Sequence, residues 1–218
     1  RYIFAVNKVD HEFAISFDLD VITIYEAYDR TERMAWGVDA AKNEEVLAKE
    51  KRVYELSQID GIPSVMPYQV PFRQLTTLLQ TYSGDIDAVI AKLGDVKPEQ
   101  EECLRRRCEC AWYWVKECAP EDFKFALRED GSKADLSGDF LNAIKRIRDE
   151  VVVKLESYQV DKDLQQAMYD IAKEIGIDPK ALFTSMYQVL IAKDQGPRLA
   201  SFMKIIGKDK LNKLLENY

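Results

Sequence analysis

From Pro71 to the C-terminus the apolar residues return every three or four positions, and glycine or proline closes each periodic stretch. This pattern builds amphipathic helices and gives no strand signal, because residues three and four apart share a helix face whereas a half-buried strand needs strict alternation. Pro71 stands at a first helical position before Phe72-Arg73-Gln74-Leu75, Ser83 is placed to cap a helix ending before Gly94, and Pro98 opens a long helix. Ala119-Pro120 predicts a shorter helix and residues 128–135 an exposed polar loop, with helices expected over 137–157 and 160–175. Asp178-Pro179 starts another, and Gly196-Pro197 and Gly207 divide the last three. No fixed-period repeat supports a solenoid, so the expectation is a helical bundle.

The residues before Pro71 read differently. Phe13, Ile15 and Phe17 alternate with Ala14, Ser16 and Asp18, which predicts a short half-buried strand. Val21, Ile24, Tyr25 and Tyr28 then recur at helical spacing up to Trp36-Gly37, and a charged helix is expected from about 40 to 56. Gly61-Ile62-Pro63, Pro67 and Pro71 punctuate a linker. The expected fold is therefore mainly all-α: a small mixed α/β segment over 1–66, followed by an all-helical unit over 67–218.

Composition narrows the chemistry. The chain has 218 residues, 47% of them hydrophobic and 32% charged, enough to bury a real core. No apolar run reaches the roughly 18 residues that span a bilayer, and Arg1-Tyr2-Ile3-Phe4-Ala5 lacks a signal-peptide pattern. A cytoplasmic protein without a membrane partner is expected, and a start at Arg1 rather than Met suggests a fragment. The one histidine, His11, excludes a Ser-His-Asp triad and a multi-histidine metal site. Cys103, Cys108, Cys110 and Cys118 form no CxxC pair. Reduced thiols are expected there instead of a metal site, with Cys103, Cys110 and Cys118 on the helix's apolar face. The net charge of −7 argues against indiscriminate nucleic-acid binding and against DNA. Residues 180–218 nevertheless hold seven bases and three acids, so any polyanion contact should favour that end.

A 100° wheel over the cysteine-bearing helix puts Trp112 opposite the apolar side, beside Arg105, Glu109 and Lys116. A tryptophan among charges is a candidate base-stacking platform, with Arg105 and Lys116 to hold phosphate. The alternative is that Trp112 packs against a neighbouring helix. Arg107 falls on the apolar side and is expected to pair with a carboxylate. Asp18, Asp20, Glu26, Asp29 and Glu32 read as a solvated face with local capping. Gly196, Pro197 and Arg198 lead into a helix whose first N–H groups attract anions; the plain reading is a helix–helix turn. GxGxxG, P-loop, HxGH and KMSKS-type sequences are absent, so no ATP site is encoded in these residues.

The chain resembles the C-terminal part of class I lysyl-tRNA synthetases. The resemblance lies in Ile15 to Arg33, with its Phe17-Asp18, Tyr28-Asp29-Arg30 and Glu32-Arg33 pairs, in Val70-Pro71-Phe72-Arg73-Gln74-Leu75, and in Leu182 to Leu215 around Gly196-Pro197-Arg198-Leu199. It departs where the family has a glycine after Phe-Asp and this chain has Leu19-Asp20-Val21. The resemblance implies a parent lysine--tRNA ligase that uses ATP with Mg through a catalytic domain preceding Arg1, so that the fragment alone would be inactive and need no cofactor. It further implies stem contact by 1–66, an α-helix-cage anticodon-binding domain over 67–218, and lysine tRNA as partner of a monomer. A non-catalytic helical scaffold for protein partners is the rival reading.

Overall fold

Every regular element among the described residues is a helix. The computed structural model describes residues 1–6, 12, 14–129, 132–136 and 138–218. His11, Phe13, part of the 128–135 loop and Ser137 thus lie outside the described residues. The strand expected around Phe13–Phe17 is not seen where the chain is described: 14–16 form no regular element and 17–18 bend. A strand needs a ladder partner, none stands beside it among the described residues, and Phe17 is 73% exposed. Helices replace the mixed α/β segment.

Two compact units form, Arg1–Glu121 and Asp122–Tyr218. The first holds α1 (Tyr2–Val6), α2 (Asp20–Ala35), α3 (Glu44–Ser57), α4 (Phe72–Thr81), α5 (Ile86–Leu93) and α6 (Pro98–Glu117). Asn43 sets the start of α3, its side chain accepting the Val46 N–H at 2.9 Å, so the helix begins later than its apolar spacing predicts. Asp85, not Ser83, caps α5 by accepting the Ala88 N–H at 3.0 Å. The proline-rich break docks rather than separates: Gln100 of α6 donates to the Met66 carbonyl at 2.7 Å, and Phe72 meets the rings of Tyr25 and Trp114 at 4.6 and 5.1 Å. By contacts, the break between the two compact units falls after Glu121.

The buried line of α6 runs through Leu104, Cys108, Ala111 and Val115. Cys103 and Cys110 are exposed and Cys118 is half-buried, which corrects the expected thiol face. The 4-3-4 spacing centres the stripe about a quarter turn from Cys103, and the same rotation brings Trp112 to the stripe's other border.

The second unit contains α7 (Gly138–Arg146), a π-helical turn over Ile147–Val151, a 3₁₀ segment over Val152–Ser157, α8 (Asp161–Ile175), α9 (Pro179–Ile191), α10 (Leu199–Ile206) and α11 (Lys208–Leu215). The helix expected to open at Pro120 is not formed: 121–123 make a turn and 124–129 have no regular structure. Phe125 and Leu127, two residues apart, turn inward from an extended strap, and the Phe125 ring meets Phe202 at 5.1 Å. Leu164, Met168, Ile171 and Ala172 of α8 close on Ile144, Ile147, Leu182, Met186, Phe202 and Leu215 to make an aliphatic core. Each such side chain contributes about 1.5–3 kcal/mol on leaving water.

Candidate functional site

The outward side of α6 carries Trp112, Arg105 and Lys116, as its periodicity requires. Lys116 is exposed and Trp112 half-buried. The indole lies on the turn that follows α4, where Gly84 has φ +83° and a Cβ would overlap the ring. Glycine is required there twice over, by backbone conformation and by the ring. Gly84 is fixed by its N–H to the Leu79 carbonyl at 2.8 Å. Packing and exposure are thus both true of Trp112: one edge braces the α4–α5 turn and the rest faces out.

Arg105 is held by Asp87 at 2.8 Å and Glu101 at 3.1 Å, with 38% of its side chain exposed. Ion pairs this open to solvent are screened and hold the guanidinium only weakly. The same face presents two residues that the wheel did not single out, Tyr113, 62% exposed, and Arg106, exposed and in no ion pair among the described residues. Their signal was available, since both fall between Lys116 and the exposed edge on the wheel.

Gly196, Pro197 and Arg198 lie in the second unit, ahead of α10. A Cβ at Gly196 would press on Tyr187 and Ile191, and the Tyr187 hydroxyl donates to the Pro197 carbonyl at 2.6 Å. The turn is therefore rigid, and Arg198 projects from it exposed. Asp161 receives Ser201 and Lys204 of α10, the lysine at 2.7 Å. These partners, helped by the Arg198 charge, hold its carboxyl below the usual range.

The carboxylates of α2 divide into two kinds. Asp29 and Glu32, expected on a solvated face, are only 3% and 1% exposed. Arg107 of α6 bonds Asp29, lies 3.7 Å from Glu32 and donates to the Tyr25 hydroxyl at 2.6 Å. Glu32 also accepts from Tyr54 at 3.2 Å and from Gln69 at 2.6 Å. Asp29 and Glu32 are thus the centre of a buried polar network that clamps α2, α3, the linker and α6, while Arg30 stays exposed. Arg107 pairs as expected. Burial pushes the Asp29 carboxyl up while Arg107 pulls it down, and burial pushes the Tyr25 phenol to about 12. No ligand-facing chemistry follows from such a network; it positions α6.

No protein-family model matches the chain. It is 48% identical over its full length to the lysine--tRNA ligase of Treponema pallidum, covering 41% of that protein. It is 39% identical, again over its full length, to the lysine--tRNA ligase of Borreliella burgdorferi, covering 42%. The lysine--tRNA ligase of Thermococcus kodakarensis matches 99% of the chain at 33% identity, with 42% of that protein covered. The chain spans about two-fifths of the length of the curated relatives it matches. Over its whole length the chain therefore matches a C-terminal part of class I lysine--tRNA ligases.

Proposed function

We propose that the chain is the tRNA-binding portion of a class I lysine--tRNA ligase and holds the anticodon stem-loop of lysine tRNA. The observation that carries this reading is the outer face of α6, where Trp112 and Tyr113 offer π-faces among Arg105, Arg106 and Lys116. Bases stack on such aromatics whatever their identity, and the guanidinium and ammonium groups neutralise the phosphates between them. The Gly196-Pro197 turn with Arg198 supplies a second phosphate contact. Residues 1–66 meet the stem and 67–218 the anticodon side; α4–α6 would then be RNA-binding elements built onto the first compact unit. The whole ligase, a cytoplasmic monomer in this proposal, joins lysine to its tRNA at the expense of ATP with Mg.

Gel-shift titration with lysine tRNA and a non-cognate tRNA at two salt concentrations tests the reading. Cognate preference and a salt slope are expected, whereas a protein-interaction scaffold shows neither. Trp112→Ala and Tyr113→Ala should each weaken binding about tenfold, from a stacking loss of roughly 1–3 kcal/mol. Tyr113→Ala should leave the melting temperature unchanged because its ring is exposed. Arg198→Ala should weaken all sequences alike and flatten the salt slope by about one charge. Lysine-dependent pyrophosphate exchange is expected to be absent from the chain by itself, since its sequence holds none of the ATP-binding signatures.

A further inference from the structure

The second unit contains a cavity of about 700 Å³ whose lining includes three bases, Arg128, Lys210 and Lys213. Three acids line it too, Glu129, Asp209 and Glu216. The charges are not all matched. Lys210 is 2.8 Å from Glu129, whereas Arg128 and Lys213 form no ion pair among the described residues. Arg128 is held in place by its main chain, whose N–H donates to the Leu190 carbonyl at 2.8 Å. Its Nε is nonetheless buried with no hydrogen-bond partner among the described residues. A buried donor without an acceptor costs free energy, most of all on a charged group, and native structures keep few of them. On the same wall the Tyr218 hydroxyl accepts the Ala134 N–H at 2.6 Å, which leaves its own proton free to be donated.

A planar guanidinium fork, an ammonium and a phenol around one space match the oxygens of a phosphate group. The geometry points to a phosphate-binding cavity at Arg128, Lys213 and Tyr218 that takes a backbone phosphate of the bound RNA. The inference rests on the RNA-binding reading above and extends it to a second-unit surface away from the Gly196-Pro197 turn in sequence. The occupant satisfies the Arg128 Nε that has no hydrogen-bond partner among the described residues, while Glu129, Asp209 and Glu216 keep the cavity from collecting anions indiscriminately.

The test uses the full chain with a fluorescent lysine-tRNA anticodon stem-loop, and separately with inorganic phosphate against chloride at matched ionic strength. Arg128→Gln should weaken RNA binding five- to tenfold or so and lower the salt slope by about one, with Arg128→Lys in between because it keeps charge and loses the fork. Phosphate should raise the melting temperature of the wild type and not that of Arg128→Gln. Without phosphate, Arg128→Gln should melt no lower than wild type, since an unmatched donor has been removed. RNA binding by the wild type with unchanged affinity and slope in Arg128→Gln overturns the inference while leaving the RNA-binding reading intact. A phosphate effect on melting with no effect on RNA affinity assigns the cavity to free phosphate and overturns the RNA occupant. Failure of the wild type to bind RNA defeats the reading beneath, and an unaltered melting temperature in phosphate then removes the cavity's ligand as well.

Discussion

At the scale of single residues, Arg107 shows how far a motif's appearance can differ from its role. Tyr28-Asp29-Arg30 looks like a surface charge pattern, and its acid instead meets a guanidinium from another helix. Removing that guanidinium leaves Asp29 and Glu32 buried and unmatched. Arg107→Met should cost about 3–5 kcal/mol in chemical denaturation, the usual penalty for breaking a buried pair from one side. Gly84 makes a second case, since its positive φ and the indole above it act separately. Gly84→Ala should destabilise by about 1–3 kcal/mol, and by less in a Trp112→Ala background, because only the backbone term survives there. Burial raises the Cys108 thiol to about 11 and the Tyr25 phenol to about 12. Both raised values favour the neutral form in the fold, so their contribution is complete below the ordinary thiol value of 9.0 and is lost as the pH climbs towards 12. Unfolding free energy should therefore fall between about pH 9 and 12, and fall less steeply in Cys108→Ala.

At the scale of elements, the helices were legible wherever spacing and punctuation agreed. Pro98 and Gly207 stand at helix boundaries as read, α8 ends before Gly176, and α9 starts after its Asp178 cap. What could not be read was phase. Cys103, Leu104 and Cys110 all look apolar on a wheel, and only packing against neighbouring helices decides that the buried line passes through Leu104 and Cys108. The strand at Phe13–Phe17 is the converse error: alternation was present, but a strand is a relation between segments, and its partner cannot be seen in a local pattern. The candidate site was half legible. Trp112, Arg105 and Lys116 do share a face, while Tyr113 and Arg106 went unremarked; the Glu101 partner of Arg105 lies one turn away in the same helix, and only its Asp87 partner needed tertiary structure. The π-helical turn after α7 left no sequence signal, since Ile147, Val151 and Leu155 keep an ordinary helical spacing through it.

At the scale of the whole molecule, the break that composition marks and the break that packing makes are different. Gly61, Pro63 and Pro67 interrupt helix formation, yet Gln69 reaches back to Asp29 and Glu32 and ties the linker to what precedes it. A chain cut to 122–218 should therefore melt cooperatively as helix, whereas a chain cut to 67–218 should expose the Phe72 and Trp114 rings and bind a hydrophobic dye; circular dichroism with dye fluorescence separates the two. The two units also differ in what they hide. The first encloses a guanidinium and two carboxylates beside its leucines, valines and aromatics, whereas the second surrounds almost only leucine, isoleucine, methionine and phenylalanine. Exposing apolar surface to water raises the heat capacity and exposing polar surface lowers it. Per residue, the second unit should accordingly show the larger heat-capacity increment in calorimetry and the more sharply curved stability profile. On cooling towards freezing, it is the unit that should loosen first.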